Sequence, residues 1–147
     1  MRAVMRKINI ISRCQAQYRG DKVKAEGITP CHHSYIFAIS KNPGISQDEL
    51  AKVICVNKSN VTRSLAQLEK YGYIRRCQSD SDKRVTKVYP TEKMEELLPL
   101  VHTSAREWNR YLTEGIRDSD MEIFQSVLET MTERAKNYLE KGGADNK

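Results

Sequence analysis

Apolar residues recur at three- and four-residue spacing in the first part of the chain, a pattern that predicts amphipathic helices. Ile8, Ile11 and Tyr18 mark one such helix over residues 6–25, and Gly27 breaks it. A second helix begins at Thr29-Pro30, where threonine can cap free N–H groups and proline suits the first turn. Its next positions are apolar on nearly every side, so we expect it to be buried: Tyr35, Ile36, Phe37 and Ile39.

The middle of the chain predicts two short helices followed by a hairpin. Ser46 and Glu49 form a capping box that opens the first helix, and Asn57 caps the second. Gly72 is placed to end that second helix in the left-handed conformation. Beyond it the pattern alternates, which predicts strands at 73–77 and 84–89 around the polar loop 78–83.

Two long helical stripes follow the hairpin. Thr91 is placed to cap the first, and Ser119 with Glu122 forms a capping box for the last. The first stripe holds Met94, Leu97, Leu98, Val101, Ala105, Trp108, Leu112 and Ile116. We therefore divide the chain into an N-terminal helix (1–27), a domain of short helices and a hairpin (28–90), two C-terminal helices (91–141) and a disordered tail (142–147).

Charge is distributed unevenly along the 147 residues. The formal net charge is +6, and the 30% charged and 39% apolar residues are a globular balance. Residues 52–93 hold 10 basic and 4 acidic side chains, whereas the rest of the chain holds 15 of each. A basic segment on an otherwise neutral chain indicates a polyanion-binding site, with a solvated basic surface as the simpler alternative.

This order of elements predicts a mainly α fold with a small β-hairpin wing, which is a winged helix-turn-helix. In such units the second helix lies in the DNA major groove, where Asn and Arg read base edges while Ser, Thr and Lys contact phosphates. The helix candidates are Asn57, Lys58, Ser59, Asn60, Thr62 and Arg63. The wing candidates are Arg75, Arg76, Asp82, Lys83, Arg84 and Lys87.

Acidic residues beside the wing arginine need an explanation, because phosphates repel them. We interpret an aspartate as the partner that orients the Arg84 guanidinium before it enters the minor groove. The alternative is a surface ion pair unrelated to DNA, worth ~0–1 kcal/mol.

The segment from the second short helix to the hairpin resembles the MarR family of winged-helix transcriptional regulators. The residues that carry the resemblance are Leu65, Leu68, Glu69, Gly72, Tyr73, Ile74 and Arg76, then Asp80, Asp82 and Arg84, then Pro90, Thr91, Glu92 and Lys93. Pro90 stands where the family has leucine, and Met94 where it has glycine. Both departures lie at the joint between strand and helix, so they concern the angle of the long helix.

The resemblance implies a homodimer joined by its terminal helices, with two winged domains on a pseudo-palindromic operator in double-stranded DNA. The apolar stripes support the dimer independently, because one small winged domain cannot cover them. A helical hairpin within one chain is the alternative. We expect a regulator, and specifically a repressor, that a small-molecule effector releases from DNA.

A thiol-based redox sensor of the same fold is an alternative signal. Cys31 is predicted in the first turn of the second helix, where free N–H groups stabilise a thiolate. Cys14 lies in the first helix, where the family's thiol-sensing members carry their reactive cysteine. A free cysteine that acts only as a small buried apolar residue is the simpler alternative.

Other function classes are disfavoured by missing motifs. The sequence contains no zinc-protease, nucleophile-elbow or phosphate-loop pattern, so we expect no enzyme, metal site or cofactor. It contains neither a signal-peptide pattern nor an apolar run long enough for a membrane, so we expect a cytoplasmic location and no membrane contact. A winged helix used only for protein contact remains an alternative, although it would expose apolar anchors in place of Asn57–Arg63.

Overall fold

The protein is described here by a computed structural model that covers residues 4–142. Most of the predicted tail, 143–147, lies outside the described residues, and Gly142 is the last residue of the final helix. Clustering of contacts divides the chain into two compact units, Met1–Asn109 and Arg110–Lys147. None of the described helices combines the length and apolar character that crossing a bilayer requires.

Six helices and three strands form the described part of the chain, which confirms the predicted fold class. In chain order the elements are α1 (Val4–Lys22), α2 (His32–Lys41), β1 (Ile45–Ser46), α3 (Gln47–Ile54), α4 (Lys58–Lys70), β2 (Ile74–Gln78), β3 (Thr86–Pro90), α5 (Glu92–Thr113) and α6 (Asp118–Gly142). The second unit contains the last turn of α5, the following turn and α6.

The sheet is antiparallel, with the strand order β1-β3-β2. Pairing of Ile74 with Pro90 and of Gln78 with Thr86 fixes the hairpin register. The two-residue strand β1 pairs with β3 through Ile45 and Val88. Sequence reasoning missed β1, because two residues are too few to display an alternating pattern and their partner is distant along the chain.

The core of the first unit lies where α2, α3, α4 and the sheet meet. Burial of α2 is confirmed, as is the predicted inner face of α4, formed by Val61, Leu65 and Leu68. Fully buried side chains from five elements complete this core: Ile36, Ile39, Leu50, Leu65, Leu68, Val88, Met94 and Val101. The core thus ties α4 to the elements around it and leaves its opposite side free for contacts.

Two predicted helix starts were wrong, and the residue before α5, whose start was placed correctly, makes a different contact from the one predicted. The helix α2 begins at His32, because Thr29 donates its backbone N–H to His32 Nδ1 and the segment closes as a turn. The Thr91 hydroxyl donates to the Gly72 carbonyl at 2.6 Å and does not cap α5. The helix α6 begins at Asp118, so Ser119 is inside its first turn.

Candidate nucleic-acid interface

Asn57 is the N-cap residue of α4, and its side chain stabilises the start of this helix. Asn57 has an extended backbone, and its Oδ1 accepts the backbone N–H of Asn60 at 2.8 Å, so the predicted cap is confirmed. The Ser59 hydroxyl donates to the same oxygen at 3.1 Å. The side-chain oxygen of Asn57 therefore serves the helix, and any DNA contact by this residue must use its amide nitrogen or backbone.

Behind this cap, α4 presents polar side chains opposite its buried face. Lys58, Ser59, Thr62 and Arg63 are exposed, and Asn60 is half-buried. Arg63 donates through its guanidinium to Asn60 Oδ1, which holds the two candidate base-reading side chains together. The predicted candidates of α4 thus lie on consecutive turns of one helix and are accessible.

An acidic residue of α3 reaches this helix. Asp48 pairs with Lys58 across 3.1 Å, and both side chains are more than two-thirds exposed. Sequence reasoning saw no acid near the start of α4 because it followed one helix at a time. An exposed pair of this kind is weak and can open when a phosphate approaches.

The wing loop holds its arginine through a carboxylate, as predicted. Asp82 Oδ1 accepts from the backbone N–H of Arg84 at 3.0 Å and from its Nε at 3.1 Å, while Oδ2 accepts from Nη2 at 3.2 Å. These hydrogen bonds, the side-chain one first, lower the pKa of Asp82. The Arg84 side chain remains 90% exposed, so its guanidinium is oriented and accessible. Lys83 lies 4.0 Å from Asp80 in a looser pair.

The strand candidates face different surroundings. Arg75 is exposed and lies over the Tyr89 ring, 4.3 Å from its centroid. Lys87 is half-buried on β3. The pKa of Glu49 is lowered mainly by the hydrogen bonds from Ser46, and the positive charges of Lys52 and Lys87 lower it further. Arg76 turns towards the helices, where it pairs with Glu69 at 2.7 Å. Arg76 therefore has a partner within the fold that the sequence reading did not assign.

The two candidate redox cysteines are both exposed. Cys31 stands at the cap position just before α2, with its Sγ 2.9 Å from Thr29 Oγ1. Cys14 lies within α1.

Sequence reasoning missed a polar cluster in the core of the first unit. His32 and His33 are almost fully buried, and Arg19 approaches from α1. Within the described chain, neither Arg19 Nε nor His33 Nδ1 has a hydrogen-bond partner, although both atoms are buried. Adjacent histidines in an apolar helix were the available signal, but only the fold buries both rings.

A helix-turn-helix with a three-stranded wing, an accessible polar second helix and an oriented wing arginine defines the winged-helix class. Residues 28–86 match the model of the MarR family. The resemblance to the MarR family of transcriptional regulators that was noted in the sequence is therefore confirmed over this segment.

Relatives match along most of the chain. YybA, an uncharacterized HTH-type transcriptional regulator of Bacillus subtilis (strain 168), is 27% identical over 145 residues, or 97% of each chain. The transcriptional repressor MprA of Escherichia coli (strain K12) is 28% identical over 116 residues, covering 75% of this chain and 66% of its own. A putative MarR family regulator from Listeria monocytogenes, solved with 26mer DNA, superposes with a TM-score of 0.88 at 24% identity over 97% of each chain.

Proposed function

We propose that this protein is a transcriptional repressor that binds a pseudo-palindromic operator as a homodimer and leaves it when a small molecule binds. The observation that carries the proposal is the pairing of an accessible polar face on α4 with an oriented, 90% exposed Arg84 on the wing. A helix in the major groove and an arginine in the adjacent minor groove together read sequence and groove shape.

The α4 candidates divide into two kinds of contact. Arg63 and Asn60 carry the forked or amide groups that pair with guanine and adenine, whereas Lys58 is a single charge suited to phosphate. Loss of a base contact lowers affinity for the preferred sequence, and loss of a phosphate contact lowers affinity for every sequence. This difference makes the proposal testable before the operator is known.

The test starts from a duplex selected out of a random-sequence pool by the wild-type protein. We expect Arg63→Ala to weaken binding to that duplex by about 1–3 kcal/mol while affecting a scrambled duplex much less. Lys58→Ala should weaken both and reduce the salt slope by about one unit. Failure of the wild type to enrich any sequence contradicts the proposal, and equal losses for Arg63→Ala on both duplexes remove α4 from base reading.

The homodimer is supported by apolar surface on α6. In the described part of this helix the large apolar side chains on one face are half or more exposed: Ile123, Phe124, Val127, Tyr138 and Leu139. Such a continuous apolar face is typical of a helix that is covered by another surface. A second copy is the occupant we propose, because two-fold symmetric regulators need one to match a palindromic site. The relative named a transcriptional repressor supports the direction of regulation.

For the effector, the buried cluster around His33 supports a small anion. Arg19 Nε and His33 Nδ1 are buried without a hydrogen-bond partner in the described part of the chain. The rings of Tyr18 on α1 and Trp108 on α5 contact each other, with centroids 4.9 Å apart and planes tilted by 33°. In an aromatic carboxylic acid, the carboxylate can accept hydrogen bonds from buried nitrogen atoms, and the ring can pack against aromatic side chains. Benzoate is the probe: we expect millimolar benzoate to release the wild type from the selected duplex and to act much less on Arg19→Gln. Equal release of both proteins contradicts this assignment.

A thiol signal is the second candidate, favoured by the exposed Cys31 at the start of α2, directly before His32 and His33. Oxidation there would disturb the turn that the buried helix begins from. Treatment with mild peroxide should release the wild type from DNA and leave Cys31→Ser bound, with Cys14→Ser behaving as the wild type. Release of Cys31→Ser at the wild-type rate removes Cys31 as the switch.

A further inference from the structure

Arg76 is held by four hydrogen bonds that join three elements of the winged helix. Its Nε and Nη2 donate to Glu69 Oε2 at 3.0 and 2.7 Å, and its backbone N–H donates to Glu69 Oε1 at 3.2 Å. Its Nη1 donates to Gln47 Oε1 at 3.2 Å. Gln47 opens α3, Glu69 lies in the last turn of α4, and Arg76 is in the middle of β2. We call this set of three residues the Arg76 latch.

The Arg76 latch is more sheltered than the other ion pairs near the interface. The side chains of Arg76 and Glu69 are 24% and 39% exposed, whereas those of Lys58 and Asp48 are 76% and 69% exposed. The hydrogen bond from the Arg76 side chain is the main cause that lowers the pKa of Glu69, which keeps this carboxylate ionised at neutral pH. A planar guanidinium with two acceptors defines an orientation as well as a distance, which a lysine ammonium does not.

The Arg76 latch contacts the edge strand of the sheet, so it can affect the position of the wing loop. The strand β2 is at the edge of the sheet, since its neighbour β3 lies between it and β1. Glu69 therefore binds the free edge of β2, through the backbone N–H of Arg76 as well as the side chain. The loop that carries Asp82 and Arg84 extends from the far ends of β2 and β3. A tilt of β2 relative to α4 would therefore move that loop, and Arg84 with it.

We propose that Arg76 is a positioning residue that sets the angle between the wing and α4, so that Arg84 and Arg63 reach one duplex together. This inference rests on the proposed DNA binding and deepens it. It assigns Arg76 no contact with DNA, in contrast to the sequence reading, because its guanidinium donors are directed at Glu69 and Gln47. The effect on DNA passes through Arg84.

A double-mutant cycle tests this coupling on the duplex selected by the wild type. Arg76→Lys keeps the charge and lacks the fork. In the wild-type background, Arg84→Ala should weaken binding about 5- to 150-fold. In the Arg76→Lys background the same change should cost less than about twofold, because the wing no longer places Arg84 in its groove. The cost of Arg63→Ala should be equal in both backgrounds.

Arg75→Lys is the matched control, since it makes the same substitution one position earlier on β2 and leaves Glu69 and Gln47 untouched. In that background Arg84→Ala should retain its full cost. An unchanged Arg84 cost in Arg76→Lys overturns the proposal, because the latch would then only stabilise the fold. A lost Arg84 cost in Arg75→Lys also overturns it, since any change on β2 would then suffice.

Hydrogen exchange provides a measurement that does not depend on DNA. In Arg76→Lys we expect faster amide exchange in peptides covering 76–85 and unchanged exchange in peptides covering 58–70. Unchanged exchange of the wing, or equal acceleration in α4, overturns the latch. If the wild type selects no duplex, the proposed function fails, while the exchange result still decides whether Arg76 holds the wing.

Discussion

At the scale of single residues, the partner of a charged side chain decides what that charge does. Asp48, Glu69 and Asp82 lower the net positive charge around α4 and the wing. Each of them nevertheless pairs with one particular basic residue. Asp82 leaves its arginine exposed, whereas Glu69 draws its arginine into the fold. Two similar Asp/Glu–Arg pairs therefore leave one arginine at the surface and hold the other within the fold.

The wing pair supports a prediction whose sign differs from simple charge counting. Asp82→Ala removes a negative charge near DNA, but we expect it to weaken binding by part of the ~1–3 kcal/mol that Arg84→Ala costs, because the guanidinium loses its orientation. Fluorescence anisotropy with the selected duplex at two salt concentrations measures both effects.

Asp80 is the matched control for this prediction. Its side chain is fully exposed and lies 4.0 Å from Lys83, so Asp80→Ala should leave affinity unchanged or slightly increase it. If Asp82→Ala tightens binding as Asp80→Ala does, Asp82 is only a repulsive neighbour and the orienting role is wrong.

At the scale of elements, α2 buries two titratable rings in the first unit. His33 is 1% exposed, and burial, the charge of Arg19 and the neighbouring His32 lower its pKa to about 4. Burial also lowers the pKa of His32. Both rings are consequently neutral in the folded protein at pH 7, and the protons they take up in the unfolded chain favour unfolding in acid.

The pH dependence of stability follows with a defined sign. The unfolded chain binds a proton at His33 below its usual pKa of about 6.5, whereas the folded protein does so only near 4. The contribution of His33 to the free energy of unfolding is fully present above about pH 6.5. It decreases as the pH falls towards 4, and about 2 kcal/mol of it is lost by pH 5. Urea titrations between pH 7 and 5 measure the slope.

A histidine that lies outside the core provides the comparison. His33→Gln should flatten the slope between pH 7 and 5, whereas His102→Gln, at an exposed position on α5, should leave it unchanged. Three carboxylates also have a lowered pKa: Glu49, Glu69 and Asp82. Their contributions to the free energy of unfolding are lost only at lower pH, so they do not affect the slope measured between pH 7 and 5. A slope in His33→Gln equal to that of the wild type contradicts the assignment.

At the scale of the whole molecule, the exposed apolar face of α6 is the feature that a single chain leaves uncovered. Phe124 is 54% and Ile123 65% exposed, as is typical of an interface and costly for a monomer in water. The homodimer that we propose would cover this surface and provide the second α4 that a palindromic site requires.

A pair of adjacent substitutions tests the dimer. Phe124→Glu places a charge in the apolar face, and we expect it to raise the dimer dissociation constant by at least about tenfold in sedimentation experiments. Gln125→Glu adds the same side chain at the next position, on the opposite polar face of the helix, and should leave the dimer intact. Dimers of equal stability in both variants place the interface elsewhere.

Sequence alone predicted the elements and the resemblance to the MarR family, because those signals are local. Helical and alternating apolar periods, the caps at Ser46 and Asn57, and the Asp82–Arg84 spacing each act within a few residues, so they predict helices, the hairpin and the wing pair correctly. The helix starts predicted at Thr29 and Ser119 were wrong, since α2 begins at His32 and α6 at Asp118.

Only the tertiary structure decided which basic side chains face solvent and which face the fold. Arg75 and Arg76 are neighbours in one strand, but successive side chains of a strand point to opposite faces, and the elements packed behind the sheet determine which face is inside. The partners of Arg76 lie 7 and 29 residues away, and β1 pairs with β3 some 40 residues along the chain. Contacts over such separations depend on how the elements pack together, which no local pattern records.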